Sequence, residues 1–356
     1  MISIQGLKEA FRSVLKGGAF AYCLWTTGLI LANYVYWSKF GNDFGVYWRA
    51  ANQSVDTVYS WSGRFPFPYA PTMLLWTAPL ALVQKTAAYV LFVAGSVTAL
   101  VAVCRSYLPR RAIVLALISP PVARGLFTGQ VCAALAALML WACSTDKRRG
   151  AGMAFGVIAS IKPQLVLMAP LMLALNRDWR AFFAAGAMFV STVALSIVIF
   201  GPERWPEWVA SMDHFHHAVA GTNVIEIGTT PAAVAERFGL PSVPFLIAGS
   251  LVGSGLIYFC RNAPPLEKAA AIGIGSIMAA PYALAYDLTV VMPFLALMVF
   301  QGRILPIIGI GTGHQPLPLM ISAYELLVRT RSKKDRPCDS VPPPSWAEAK
   351  PRETPS

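Results

Sequence analysis

Ala181–Phe200, AFFAAGAMFVSTVALSIVIF, runs without a single charged side chain. It matches the roughly 20 apolar residues that a helix needs to cross a bilayer. Hydrocarbon offers no partner for backbone N–H and C=O groups, so a chain with such runs is restricted to helices or a closed barrel. Barrel strands would alternate apolar and polar residues. Here the runs are continuous, as in LALIS and AALAALMLWA. The expected fold is an all-α polytopic membrane protein. Only 13% of the 356 residues are charged and 56% are hydrophobic, whereas a soluble domain carries about 25% charged residues.

The net charge of +12 invites a nucleic-acid reading, and its distribution argues against one. Lys8, Arg12 and Lys16, then Arg105, Arg110 and Arg111, then Lys147, Arg148 and Arg149, and finally Arg329, Arg331, Lys333 and Lys334 cluster in short connectors. That is the charge bias of cytoplasmic loops. It places both termini in the cytoplasm, in a multi-pass protein of the cell membrane. Six cysteines are scattered without a C-x-x-C, so neither a zinc site nor a disulfide framework is expected.

Residues 1–17 read as a cytoplasmic amphipathic lead rather than a cleavable signal, and a first span follows over Gly18–Tyr36. An external segment runs from about residue 37 to 70. In it Val46–Val55 is expected as a helix on the membrane surface, with Tyr47 and Trp48 as interfacial anchors. Pro71–Val83 and Ala112–Ile118 are short apolar runs with prolines at their ends. Broken segments of this kind persist at membrane depth only where they are buried in protein or line a cavity. Ala151–Leu175 is expected to form a hairpin with Lys162 and Pro163 at its outer tip, because basic connectors flank it on both sides. A second external segment covers about 201–241. Further spans are expected near Val243–Phe259, Ala269–Met278, Leu288–Phe300 and Leu305–Val328. The total is about nine to eleven membrane helices within a domain of residues 18–328. Residues 329–356 are expected to be a disordered cytoplasmic tail. Gly152-x-x-x-Gly156 and Gly249-x-x-x-Gly253 are expected to let helices pack closely.

With the N-terminus inside, the outer face collects nearly all the acids. Asp43, Asp56, Glu203, Glu207, Asp213, Glu226 and Asp287 fall there, together with the isolated bases Arg49, Arg64, Arg124 and Lys162. Ionisable groups at or near membrane depth are functional candidates. Asp43 and Asp287 are also suited to capping the helices they open, and Lys162 to reaching the interface with its ammonium group. His214, His216 and His217 have no acid at a recognisable ligand spacing, so a metal site is not expected. There is no G-x-x-x-x-G-K-[ST] to bind nucleotide phosphates and no G-x-S-x-G nucleophile turn.

Five stretches follow in order: DFGVYWRAAN, FPYAPTMLLWTAPLALV, TGQVCAALAALMLWA, AGMAFGVIASIKPQLVLMAPLML and APYALAYDL. Together they resemble glycosyltransferase family 87, integral membrane enzymes of the GT-C class. The resemblance implies transfer of a sugar, typically mannose, from a polyprenyl-phosphate carrier to a lipid or glycan acceptor at the outer face. It implies that Asp43, in the first external segment, is the catalytic base. Gly129-Gln130 and Lys162-Pro163 match further family positions. Three positions depart from the pattern: Tyr69-Ala70-Pro71 in place of Tyr-Pro-Pro, Cys132 where an Asn is frequent, and Tyr282 where a His can stand.

The chemistry fits such a reaction. A polyprenyl phosphate leaves readily, whereas an acceptor hydroxyl needs a base. Lys162, Arg124 and Arg49 are the candidates for the leaving phosphate, and Tyr47, Gln130, Tyr286 and Asp287 for the sugar and acceptor. A monophosphate donor does not oblige a metal, and no cofactor is expected. The expected partners are the polyprenyl-phosphate-linked donor, the acceptor and membrane lipids, not nucleic acid. Two alternatives share the sequence features: a lipid or glycan transporter with broken helices, and a non-catalytic subunit of an envelope-polysaccharide system.

Overall fold

Prolines and charge-free runs set where the helices begin and end. The computed structural model describes residues 4–60, 66–220, 228–312 and 316–334. In chain order the helices are α1 (Ile4–Tyr36), α2 (Asn42–Asn52), α3 (Pro71–Thr77), α4 (Lys85–Cys104), α5 (Arg110–Leu117), α6 (Pro120–Thr128), α7 (Cys132–Ser144), α8 (Arg148–Ile161) and α9 (Ala169–Leu175). They continue with α10 (Trp179–Phe200), α11 (Arg204–Ala220), α12 (Pro231–Arg237), α13 (Ser242–Cys260), α14 (Pro265–Met278), α15 (Met292–Phe300), α16 (Leu305–Thr312) and α17 (Leu317–Lys334). Proline opens α3, α6, α12 and α14, where its missing N–H costs no intrahelical bond.

Among the described residues, four helices are long and apolar enough to cross a membrane: α1 from Glu9 onward, α4, α10 and α13. The pair α5 and α6, bent by 60°, is together long and apolar enough for a fifth crossing or for a re-entrant loop; it breaks at Ser119-Pro120-Pro121, as the residue before a proline avoids helical backbone. The distance between these four or five and the nine to eleven expected lies in half-length helices. The 13 residues of α7 reach only about 20 Å, short of the roughly 30 Å hydrocarbon core. They are buried among other helices instead: Cys132, Leu135, Met139 and Leu140 are all at most 2% exposed.

Several boundaries differ from those expected. Residues 4–17 of the expected lead are helical and continuous with the first span in α1. The surface helix begins four residues earlier than expected and is docked into protein, with Phe44, Val46, Tyr47 and Ala50 buried. Tyr47, expected as an interfacial anchor, is 1% exposed. The second external segment carries α11 and α12. The first six residues of the expected tail, 329–334, belong to α17; the remainder lies outside the described residues, as do Arg64, Glu226 and the side chains of His214, His216 and His217.

Close helix contact sets the frame of the site. A Cβ on Gly152 would meet Ala181 O at 2.1 Å, and one on Gly156 would meet Ala185 O at 2.6 Å, so α8 and α10 approach with their backbones. Gly249 and Gly253 bring α13 onto α14 in the same way, against Met278 O and Gly275. Both small-residue pairs act as expected. Arg148 and Asp178, 3.6 Å apart, tie the start of α8 to the start of α10. The chain climbs α8 and returns along α9, which is the expected hairpin. Its tip is enclosed, however: Lys162 is only 3% exposed.

Candidate active site

Four chain segments converge on that tip. The first is α2. It starts at Gly41, in left-handed backbone with φ 65°, whose N–H donates to Phe127 O at 2.8 Å. This bond pins the start of α2 to the end of α6. Asp43 lies within the first turn and Gly41 holds the N-cap position, so the capping role open to Asp43 is not the one it takes. Tyr47 follows four residues later on the same helical face.

The second segment is the end of α6. Gly129 adopts φ 76°, and the N–H of Gln130 returns to Gly125 O at 2.7 Å, the six-to-one bond of a Schellman turn. No other residue fits there, because a Cβ on Gly129 would meet Phe44 Cβ at 2.5 Å and Tyr89 at 2.9 Å. The turn aims Gln130 and Thr128 at α2. The Gln130 Oε1 accepts from the Tyr47 hydroxyl at 2.8 Å and from Tyr69 at 3.4 Å. The two phenols are themselves 2.9 Å apart. With its oxygen so engaged, Gln130 has its amide N–H free to donate to Asp43, and the Thr128 hydroxyl, which donates to Arg124 O at 3.1 Å, lies beside the same carboxylate.

The third segment is the break after α8. Lys162 leaves helical backbone at φ −142°, ψ 79°, as a residue before proline prefers. The freed carbonyl of Ser160 accepts from the Thr72 hydroxyl of α3 at 2.5 Å, and the Ser160 hydroxyl accepts from the Trp76 indole at 3.1 Å. The fourth is the turn APYALAYDL between α14 and α15. There Asp287 accepts from the Leu284 N–H at 2.9 Å, so it does serve the local backbone. Its other oxygen takes the Lys162 ammonium at 2.8 Å. Both side chains are at most 3% exposed. Cys132 donates its thiol to the same carboxylate oxygen at 3.2 Å and lies 3.4 Å from the ammonium. Tyr286 presents its ring to Lys162, 4.6 Å from Nζ to centroid.

The result is two neighbouring carboxylates in different conditions. Asp287 has a cation, a thiol and a backbone N–H. Asp43 lies in α2, outside the membrane-crossing helices, and has no ion-pair partner at contact distance among the described residues. Burial pushes its carboxyl above the ordinary carboxylate value; the bonds from Gln130 and Thr128 and the field of Lys162 oppose that rise, and Asp287 adds to it. Of the three expected phosphate ligands, Lys162 is thus taken up by Asp287. Arg124, half-buried on α6, has no ion-pair partner among the described residues, and it shares the electrostatic surroundings of Tyr34 with Asp43. Arg49 lies about 120° round α2 from Asp43, six residues on, away from the Lys162 pair. Among the described residues no three His, Cys, Asp or Glu side chains gather as metal ligands would.

The model of glycosyltransferase family 87 matches residues 67–285, well over half of the chain. The chain belongs to glycosyltransferase family 87. No curated protein and no solved structure matches it. It is therefore a membrane glycosyltransferase, acting on a sugar donor and an acceptor. The match holds Tyr69, Arg124, Gln130 and Lys162, while Asp43 and Tyr47 lie before it and Tyr286 and Asp287 just after. The fold of the transferase joins the two sets.

Three further residues lie at this place: Tyr69 and Tyr282, noted in the sequence but not named as site candidates, and Thr128, not singled out there. Tyr69 completes the phenol pair, and its place between Pro68 and Pro71 was the available signal. Thr128 reaches Asp43 from the residue before Gly129. Tyr282 has a buried hydroxyl with no hydrogen-bond partner among the described residues, in the electrostatic range of Asp287, Lys162, Tyr69 and Asp43. Nothing in the sequence marked it beyond its departure from the family's histidine.

Proposed function

We propose that this glycosyltransferase moves a hexose, mannose in the first instance, from a polyprenyl-phosphate donor to a hydroxyl of a lipid or glycan acceptor. Asp43 is the base. The observation that carries this reading is a half-buried carboxylate left without a counter-ion among the described residues, beside a fully buried and neutralised one. A carboxyl shifted upward by burial is a better proton acceptor than a free one.

The acceptor hydroxyl gives its proton to an Asp43 oxygen as its own oxygen attacks the anomeric carbon. The bond from that carbon to the donor phosphate breaks on the opposite face, and the configuration inverts. The leaving phosphate gathers negative charge, which the unpaired Arg124 meets; Arg49 is the second candidate along the path from the membrane. Positive charge grows on the sugar, and the carboxylate of Asp43 favours it. Lys162 acts through Asp287, holding the turn that carries Tyr286 and Tyr282. The unpartnered Tyr282 hydroxyl is the group best placed to bind a sugar hydroxyl, since leaving a buried polar group unpaired is costly. No metal is assigned a step. The site faces the outside of the cell membrane, with the basic connectors and both termini in the cytoplasm.

The test compares wild type with Asp43→Asn in membranes supplied with polyprenyl-phosphate-linked mannose. Loss of transfer in the variant alone is expected. Equal transfer by both removes Asp43 as the base. No transfer by wild type from any polyprenyl-phosphate hexose removes the donor class.

A further inference from the structure

We propose that a cavity at the far end of α8 from Lys162 holds the phosphate of an anionic membrane lipid. It is an open cleft of about 340 Å³ between α7, α8, α9 and α14, with Arg148, Asn176 and Arg177 exposed in it. Its charged and polar lining is Arg148, Arg177, Lys268, Asn176 and Asp178. Arg148 shares Asp178 at 3.6 Å. Arg177 and Lys268 have no ion-pair partner among the described residues, so the cavity keeps an excess of positive charge. The 14 residues of α8 put its Arg148 end about 21 Å from Lys162, away from the groups proposed for the reaction.

A second observation singles out Arg177. It follows α9 in left-handed backbone with φ 55°, held by Arg177 N–H to Ala174 O and Asp178 N–H to Leu173 O, each 2.9 Å. Glycine is the ordinary residue at such a helix end. An arginine there carries a conformational cost that local folding does not require, and its side chain lines the cavity. Lipid is favoured over a free ion by the surroundings. Trp141, Leu175 and Trp179, next in the chain to cavity residues, are 37%, 37% and 50% exposed. Exposed tryptophans are typical of the headgroup level, and basic pockets between membrane helices suit anionic headgroups.

Full-length protein in detergent, titrated with phosphatidylglycerol or phosphatidylcholine and read by native mass spectrometry, tests the site. Saturable binding of phosphatidylglycerol in preference to phosphatidylcholine is expected. Arg177→Gly, whose backbone suits φ 55°, should keep the thermal midpoint and weaken that binding about fivefold, as should Lys268→Gln. Equal binding of the two lipids, or wild-type affinity in both variants, overturns the proposal. Full displacement of the lipid by millimolar inorganic phosphate also overturns it, by making the cavity an ion site. Sugar transfer is not part of the readout, so the result is independent of the role given to Asp43.

Discussion

At one end of the bundle two buried carboxylates, Glu267 and Glu325, are each held by an arginine, Arg329 and Arg303. At the other end Asp287 is equally buried and equally held, by Lys162. Asp43 shares that second enclosure and has hydrogen bonds but no cation in contact. A buried acid with its counter-ion is a structural element, whose removal leaves a bare charge. A half-buried acid without one, as Asp43 is, is less stable as an anion than a free carboxylate and readier to take a proton. The contrast separates groups that hold the fold from the group proposed to do chemistry, and it makes opposite forecasts for the two kinds.

The largest effect is expected at Asp43. Replacement by asparagine should lower transfer by about 10²–10⁴, the usual contribution of a general base, while leaving the unfolding midpoint at neutral pH unchanged or higher. The sign follows from linkage. The folded carboxyl titrates above its free value, so its contribution to stability is complete below the free value and is lost as pH rises through the folded one. Asparagine removes that loss. A variant that loses activity because its midpoint has dropped would erase the contrast.

Lys162→Met should do the reverse. It leaves Asp287 buried beside a thiol and a backbone N–H, and one-sided removal of a buried pair costs about 3–5 kcal/mol. Folded yield and thermal unfolding in detergent measure it. The double variant Lys162→Met, Asp287→Asn should recover most of that loss. Failure to recover would mean that Lys162 holds more than its carboxylate.

A finer measurement concerns the pH profile of transfer. Its acid limb should lie above 3.8, because the base must be ionised and burial raises its value. Gln130→Leu removes a hydrogen bond that favours the charged form, so the limb should move to still higher pH. A limb that stays in place would mean that Gln130 serves the phenols and not Asp43.

These contrasts also show what a single sequence carries. Continuous apolar runs fix helices because lipid leaves the backbone no alternative, and α10 was legible end to end. The break at Lys162-Pro163 was legible because proline forbids the helical backbone before it. Glycine pairs four residues apart marked the α8–α10 and α13–α14 contacts. The pairing of Lys162 with Asp287 was not legible, since the residues are 125 positions apart and either one fits an interface alone. The start of α2 was missed because a tertiary bond, Gly41 to Phe127, decides it. Tyr47 was misplaced because an aromatic ring suits a lipid interface and a buried site equally well; the choice depends on Gln130, 83 positions away. The nine to eleven expected helices include half-length ones, because a short apolar helix buried by neighbours has the same composition as part of a span; only four are long enough to cross alone among the described residues.

The smallest effect tests the edge of the comparison, where charges meet water. Arg204, with a side chain 8% exposed, takes Glu207 at 2.6 Å, Asp56 at 3.0 Å and Glu203 at 3.4 Å. The Asp56 contact joins α11 to the segment after α2, but Asp56 is 78% exposed. In Asp56→Asn, Arg204 keeps two carboxylates and the Val55 carbonyl at 3.5 Å, and the lost partner was largely screened by solvent. The expected cost is below about 1 kcal/mol, with transfer within a few-fold of wild type. A tenfold fall in transfer at an unchanged unfolding midpoint would show that this exposed pair fixes the position of α2 and, through it, of Asp43. The division between holding and reacting charges would then have to be drawn by connection to α2 and not by burial.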